Sequence, residues 1–396
     1  MARAWRATSW WRRVCSALGG LSALGLVLSG CTGPGSNEGN VIHVAASAPL
    51  TGDGAAYGIE TMYGVRLAVR EINESGGIAG KQIKLTEFDD QCDATPAATV
   101  ANQIISDKSI VAVIGNVCSG ATNAQLPIFD RAGLPVLAAT TSNPNLSTLG
   151  FDIFSRIIPN DDVQAASMVK FAAVLGYTRI AVLYPSDDYG QAMFTVAQRA
   201  AEEYDIEIVA AETYITGSTT DFSSVLANIA AANPQAVFLA GYYADMGTAV
   251  SQSRRAFGDK QIAFLANAQD QNQEFIDLAG EAGEGTWVTN VYDVTNPSEV
   301  NQRFVTAYEE AYGNKPGLQA AAGYDNVYVL KAAVEANGGS TENLAAAIRS
   351  VVYEGAMGRI SFDENGDNPG GGTVVLQLRG GEWVFDTEKT EALNGL

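Results

Sequence analysis

Histidine is nearly missing from this chain: 396 residues hold one, His43. That rules out zinc sites built from several histidines and leaves a Ser-His-Asp triad no base except His43 itself. His43 lies in the run IHVAASAPL, where a half-exposed strand position is the expectation and a catalytic base is not. Cations are also scarce. Lys and Arg number 24 against 44 Asp and Glu, a formal charge of −20, which argues against nucleic acid and against adsorption to an anionic membrane surface. The acids are dispersed, so they solvate the body and do not form a tail. There is no G-x-G-x-x-G after a strand, no Walker loop and no G-x-S-x-G. Asp363, Asn365 and Asp367 are spaced like the start of a calcium loop, but Gly370-Gly371-Gly372 follows and the closing Glu is missing, so Asn365-Gly366 reads as a turn. Ser119 beside Cys118 has no base partner. No convergent acid, base or metal set is present, so the expectation is no enzyme, no cofactor and no metal.

Nearly half the residues are apolar, so the chain is globular, and its length makes two domains the starting expectation. Residues 1–30 read as an export leader. Arg3, Arg6, Arg12 and Arg13 form its basic region, and Leu18–Leu28 is an apolar stretch too short to span a bilayer. Arg12-Arg13 is a pair of the kind used in twin-Arg export, but the residues after it fit that route poorly. Leu28-Ser29-Gly30-Cys31 resembles a lipobox, which predicts cleavage before Cys31 and a lipid on its thiol. Losing the four leader arginines would take the charge from −20 to −24. Thr32–Asn40 is a flexible tether between anchor and body. No other run is long and apolar enough to span a membrane. Of the four cysteines, Cys15 leaves with the leader and Cys31 carries the lipid. Cys92 and Cys118 then remain as an even pair in an exported chain, which predicts a disulfide over two buried thiols. The loop it closes would stabilise the fold by roughly 3 kcal/mol.

From Val41 on, strand and helix patterns alternate. Val41–Ala48 is a strand, Ala56–Glu74 a helix with Val65, Ala68, Val69 and Ile72 on one face, Lys81–Asp89 a strand and Thr95–Asp107 a helix. The pattern restarts after Ile153–Ile158 with helices over 161–176, 189–204, 221–232 and 244–257, and strands over 179–184, 206–214, 236–240 and 262–266. Long helices follow over 299–312, 318–337 and 341–351, then two strands over 373–378 and 382–385. Repeated βαβ units mean an α/β protein with doubly wound parallel sheets.

Val111–Pro144 is the most informative stretch. Val111–Ile114 is a buried strand, Gly115-Asn116 breaks it, and Ser119 stands at a helix N-cap before Ala121–Arg131. Val136–Ala139 is the next strand, and Thr140-Thr141-Ser142-Asn143 marks its carboxyl end. One helix N-terminus and one polar strand end would then face a common crevice, where open parallel sheets bind ligands and where free N–H groups suit a carboxylate. Two ordinary βα turns would give the same pattern, and these residues alone leave both readings open.

Seven motifs occur in order: AAYG at 55–58, INESGGIAGKQI at 72–83, DDQCD at 89–93, IGNVCSGAT at 114–122, DYG at 188–190, GYYADMG at 241–247 and FDENGD at 362–367. On these, residues 41–396 resemble the leucine-isoleucine-valine-binding proteins, the solute receptors of branched-chain amino-acid ABC importers. The resemblance implies a type I periplasmic-binding-protein fold: two doubly wound parallel-sheet lobes, 41–160 plus 290–367 and 161–289 plus 368–396, joined by a three-crossover hinge that closes on ligand. It implies a monomer, lipid-anchored on the outer face of the cytoplasmic membrane or in the periplasm, that hands an amino acid to permease and ATPase subunits. The family's carboxylate-binding Ser matches Ser119. Thr140 would offer its carbonyl to an ammonium, and Ser142 its hydroxyl and N–H. Tyr57, Tyr189 and Tyr242 match the pocket tyrosines, with Tyr243 outside the pocket, and the family's paired cysteines match Cys92 and Cys118.

One position departs from the family. The acid that receives the ammonium matches Ala268. A buried ammonium without a counter-charge costs several kcal/mol, so either Asp270 reaches the ligand or the ligand has no ammonium there. Asn267 and Gln269 suit a neutral or carboxylate-only solute, and Gln319 replaces a common apolar wall residue. An amide, urea-like or aromatic carboxylate ligand is therefore the rival to an amino acid.

Overall fold

The computed structural model describes residues 41–396 apart from 259 and 261. The expected leader, the Cys31 anchor and the tether lie outside the described residues.

The first half runs β1 (Val41–Ala48), α1 (Ala55–Glu74), β2 (Gln82–Asp89), α2 (Ala94–Ser106), β3 (Ile110–Ile114), α3 (Ser119–Ala132), β4 (Val136–Ala138) and β5 (Phe154–Arg156). These strands form one parallel sheet in the order β2-β1-β3-β4-β5. The chain continues through α4 (Asp161–Val174), β6 (Arg179–Pro185), α5 (Asp188–Glu203), β7 (Glu207–Tyr214), α6 (Ser223–Ala232), β8 (Ala236–Leu239), α7 (Tyr243–Phe257), β9 (Ala263–Ala266), α8 (Gln273–Ala279) and β10 (Trp287–Asn290). Then come α9 (Glu299–Tyr312), α10 (Leu318–Ala336), α11 (Leu344–Arg349), a short hairpin of β11 (Tyr353–Gly355) and β12 (Gly358–Ile360), β13 (Val374–Arg379), β14 (Glu382–Phe385) and α12 (Thr387–Gly395). The second sheet is ordered β14-β13-β10-β9-β8-β6-β7. It is parallel except at β13, which pairs antiparallel with β10 and β14.

The two sheets share one winding. The orders β2-β1-β3-β4-β5 and β7-β6-β8-β9-β10 both reverse beside the first strand of the unit, at β1/β3 and at β6/β8. Such reversals splay the connecting loops apart and open a crevice at the strand carboxyl ends. The chain passes between the sheets three times: β5 to β6 through α4, β10 to α9, and β12 to β13. α10 returns to the first sheet and packs along α1. Their backbones touch because Gly64 faces the Ala320 carbonyl and Gly323 the Thr61 carbonyl, leaving no room for a Cβ at either.

Beyond α8, β10 and the β11–β12 hairpin, which the sequence pattern does not predict, three further features differ from the sequence expectation. His43 is buried, not half-exposed, at 4% exposure. β1 is an inner strand, so its side chains meet helices on both faces. The imidazole is satisfied by Ser109 Oγ at 2.7 Å and Thr86 Oγ1 at 2.9 Å, and burial lowers its pKa. The helix expected over 341–351 is only Leu344–Arg349. α12 was not expected at all. Its sequence TEKTEALNG is polar and buries only Leu393, but Asp386 accepts from Lys389 N and starts the helix.

Candidate ligand site

Short loops at the carboxyl ends of both sheets bring most of the expected residues together. Ser119, Thr140 and Ser142 follow β3 and β4, and Tyr57 stands in the first turn of α1. From the second sheet come Tyr189 after β6, Tyr242 after β8 and Gln269 after β9. All seven line one cavity, with Val117 and Cys118. Its volume is about 10 Å³, room for a water-sized sphere, so an organic ligand enters only when the walls separate. Beyond Tyr242 a wider space of about 500 Å³ opens toward Asp53, Asp187 and Asp245.

Ser119 is the first residue of α3 and not its cap. Cys118 holds the cap position, and no side chain caps the helix. The first-turn N–H groups are therefore left for an acceptor from outside, with the positive end of the helix dipole behind them. Ser119 Oγ accepts from Asn143 N at 3.3 Å, tying α3 to the polar end of β4. Cys118 is bonded to Cys92, with Cα atoms 5.3 Å apart. The disulfide fixes the α3 N-terminus to the turn after β2. A buried network lies beneath it: Asn116 Nδ2 to Gln125 Oε1 at 2.6 Å, Gln125 Nε2 to Ser47 Oγ at 2.8 Å, and Ser47 Oγ to Asp90 Oδ2 at 2.9 Å. Burial pushes the Asp90 carboxyl up to about 6.

Two buried carboxyls stand beside the cavity, neither among the residues that line it in this closed form. Asp270, two residues beyond Ala268, is fully buried in the 3-10 turn Ala268–Asp270. Its Oδ2 accepts from Asn267 N at 3.3 Å and Nδ2 at 3.1 Å, while Oδ1 is buried with no partner. Asn267 is spent on this and on the Leu239 and Gly241 carbonyls, so it positions Asp270 and does not line the cavity. The second carboxyl, Asp161, is one that sequence reasoning missed. It opens α4, is 1% exposed, and its Oδ2 likewise has no partner. Burial raises its pKa to about 7 against the lowering pull of Ser142 and Arg156. Asp161 N donates to the Ser142 carbonyl at 2.9 Å and Asp270 follows Gln269 directly, so each acid adjoins a residue that lines the cavity. The signal in the sequence was faint, because Asn160-Asp161-Asp162 reads as an ordinary helix start. Thr140 Oγ1 is also buried without a partner.

Arg156 was missed as well. It has 0% exposure and pairs with Asp367, Nε to Oδ1 at 2.6 Å. Its Nη1 donates to the Asn143 and Thr141 carbonyls at 2.9 and 3.2 Å, which holds the strand end that carries Thr140 and Ser142. The turn at 363–367 thus serves a buried ion pair, and among the described residues no cluster fit for a metal ion occurs.

Bonds across the crevice draw the walls together. Tyr243 N donates to Tyr57 Oη at 2.9 Å, Asn123 Nδ2 to Asp188 Oδ2 at 2.9 Å, and Asn143 Nδ2 to the Asp188 carbonyl at 2.9 Å. Tyr57 stacks edge-on against Tyr243, with centroids 4.8 Å apart, and Tyr189 lies 5.0 Å from Tyr242. Tyr243 serves as such a bridge and lies outside the cavity lining. Gln319, in the first turn of α10, does not line the cavity itself but hydrogen-bonds Gln269, which does.

Residues 41–382 match the family model described as periplasmic binding protein. The chain is 28% identical over 354 residues to the leucine-, isoleucine-, valine-, threonine-, and alanine-binding protein of Pseudomonas aeruginosa, covering 89% of this chain and 92% of that one. It is 27% identical over 332 residues to the Leu/Ile/Val-binding protein of Escherichia coli, covering 83% and 88%. Among solved structures, a leucine binding protein from Thermotoga maritima superposes with a TM-score of 0.81 at 29% identity, over 87% of this chain and 98% of that one. The branched-chain amino acid transporter substrate binding protein of Streptococcus pneumoniae, solved with isoleucine, superposes at 0.79 with 26% identity, over 87% and 100%.

Proposed function

The chain belongs to the periplasmic binding protein family, and from that premise we propose that it is the solute receptor of an ABC importer, capturing an α-amino acid between two lobes. The lobes are 41–160 plus 290–367 and 161–289 plus 368–396, and the three passes between the sheets act as their hinge. The observation that carries this reading is the pairing of opposite head-group sites. An uncapped helix N-terminus with Ser119 and Ser142 suits a carboxylate, while the unpartnered oxygens of Asp161 and Asp270 suit an ammonium. Asp270 and Asp161 together supply the counter-charge that Ala268 cannot. The carbonyl of Thr140 adds an acceptor, and Tyr57, Tyr189 and Tyr242 wall the side chain with apolar faces and polar tips. The bridges across the crevice hold the closed form. The mature chain is exported, anchored by a lipid on Cys31 to the outer face of the membrane, acts as a monomer, and presents its closed form to permease and ATPase subunits. It binds its solute without transforming it.

The test is calorimetry with the twenty amino acids, repeated on the best binder's two truncated analogues, one without the amino group and one with the carboxylate amidated. Both analogues are expected to lose binding. Ser119→Ala is expected to weaken the parent roughly tenfold, the worth of a hydrogen bond to a charged group. Equal binding of either analogue would overturn the proposal.

A further inference from the structure

Once the head groups of an α-amino acid are placed, two glutamines are left over. Gln269 is 8% exposed and lines the cavity, while Gln319, the second residue of α10, is 4% exposed and reaches Gln269 from behind without lining the closed cavity. Gln319 Nε2 donates to Gln269 Oε1, and Gln319 Oε1 is buried with no partner. A primary amide has one carbonyl and one NH₂ group. One bond between two such amides leaves one carbonyl and one NH₂ unspent. Exchanging oxygen and nitrogen on both side chains leaves the same remainder, so the result does not depend on how the amides are oriented.

This remainder discriminates among side chains. Asp161, Asp270, Ser119 and Ser142 serve the head groups common to all amino acids, and Val117 and the tyrosines offer apolar walls. The Thr140 hydroxyl, also buried without a partner, and the glutamine pair add both donors and acceptors, and of these only the glutamine pair joins residues of α10 and the β9 end. A purely aliphatic side chain closing over it would leave both groups unpaired in a site shielded from water, which lowers affinity. An anionic side chain brings no donor, so the free carbonyl of the pair would stay unpaired. A neutral group that gives and takes one hydrogen bond each meets the free carbonyl and one of the free N–H donors.

We propose that the preferred ligand is an α-amino acid whose side chain carries a carboxamide or a hydroxyl, read by Gln269 and Gln319 acting together across the crevice. This rests on the amino-acid reading above. The test is calorimetry on the purified protein with three near-isosteric pairs: asparagine against leucine, glutamine against methionine, threonine against valine. The polar member of at least one pair is expected to bind roughly tenfold tighter or more. A preference in the first two pairs assigns the carboxamide, and one in the third the hydroxyl. Gln319→Leu is expected to abolish or reverse that preference with binding of the aliphatic member kept. Gln269→Met, on the other wall, gives the same readout should the first variant fold poorly. Aliphatic members binding as tightly as polar ones in all three pairs would overturn the glutamine assignment and leave the amino-acid reading standing. No binding by any of the six, with binding of a solute lacking either head group, would overturn both.

Discussion

Replacing Asp161 with Asn should make the protein more stable and a worse receptor at the same time. Asp161 is 1% exposed and one of its oxygens has no partner. Its pKa is raised to about 7, first by burial and slightly by Asp162, against the opposing pull of Ser142 and Arg156. In the unfolded chain the same carboxyl titrates near 3.8. Below that value both states carry the proton and the site costs nothing. Between 3.8 and about 7 the folded state holds a proton that the unfolded state has released, so stability falls as pH rises. Above about 7 the full cost of the buried charge is present, about 4 kcal/mol for a gap of this width. Asp161→Asn keeps the shape and removes the charge. Urea melts at pH 4 and pH 8 are the assay. The variant should match the wild type within about 1 kcal/mol at pH 4 and exceed it by a few kcal/mol at pH 8. A ligand ammonium stabilises the ionised form, so wild-type affinity should rise from pH 5 to pH 8, and the variant should bind weakly with a flatter profile. Parallel stability curves for the two proteins across that range would refute the assignment of a buried carboxyl that costs stability when ionised.

Two further outcomes follow from the crevice and its disulfide. Gly217 has φ +65°, and a Cβ there would overlap Asp53 Oδ2 from the facing wall. The exposed Asp53 side chain can swing away, so the left-handed backbone carries the cost: Gly217→Ala should lower stability by about 1 kcal/mol in chemical melts, and adding Asp53→Ala should not restore it. Removing the Cys92–Cys118 bond, which closes 26 residues, should lower stability by roughly 3 kcal/mol in chemical melts, and it should also weaken ligand binding because the α3 N-terminus is freed.

The fold was legible where apolar period and turn chemistry agreed. Val111–Ile114 could only be a buried strand, and Gly133-Leu134-Pro135 could only end a helix; the structure places Gly133 in the left-handed region at that end. Ser119, Thr140 and Ser142 stood out as a helix start and a polar strand end, but ordinary turns fitted them equally; the family resemblance singled them out, and the structure brings them to one cavity. What stayed hidden depends on partners distant in sequence. Asp161 looks like any acid opening a helix until the β4 end folds over it, and Arg156 meets Asp367 across 211 residues. His43 was misjudged because its strand is an inner one, which only the strand order reveals. α12 buries one leucine and owes its existence to the sheet and helix it leans on.

The second sheet is completed last. β10 gains its outer neighbour only from β13, and β13 only from β14, both within the final 23 residues. Until those residues are available, β10 presents an open row of amides and carbonyls flanked by Val288 and Trp287, a surface prone to pairing with other chains. Assembly is therefore governed by the tail: a chain stopped at residue 367 would hold every residue that lines the cavity and would still leave that edge open to its neighbours.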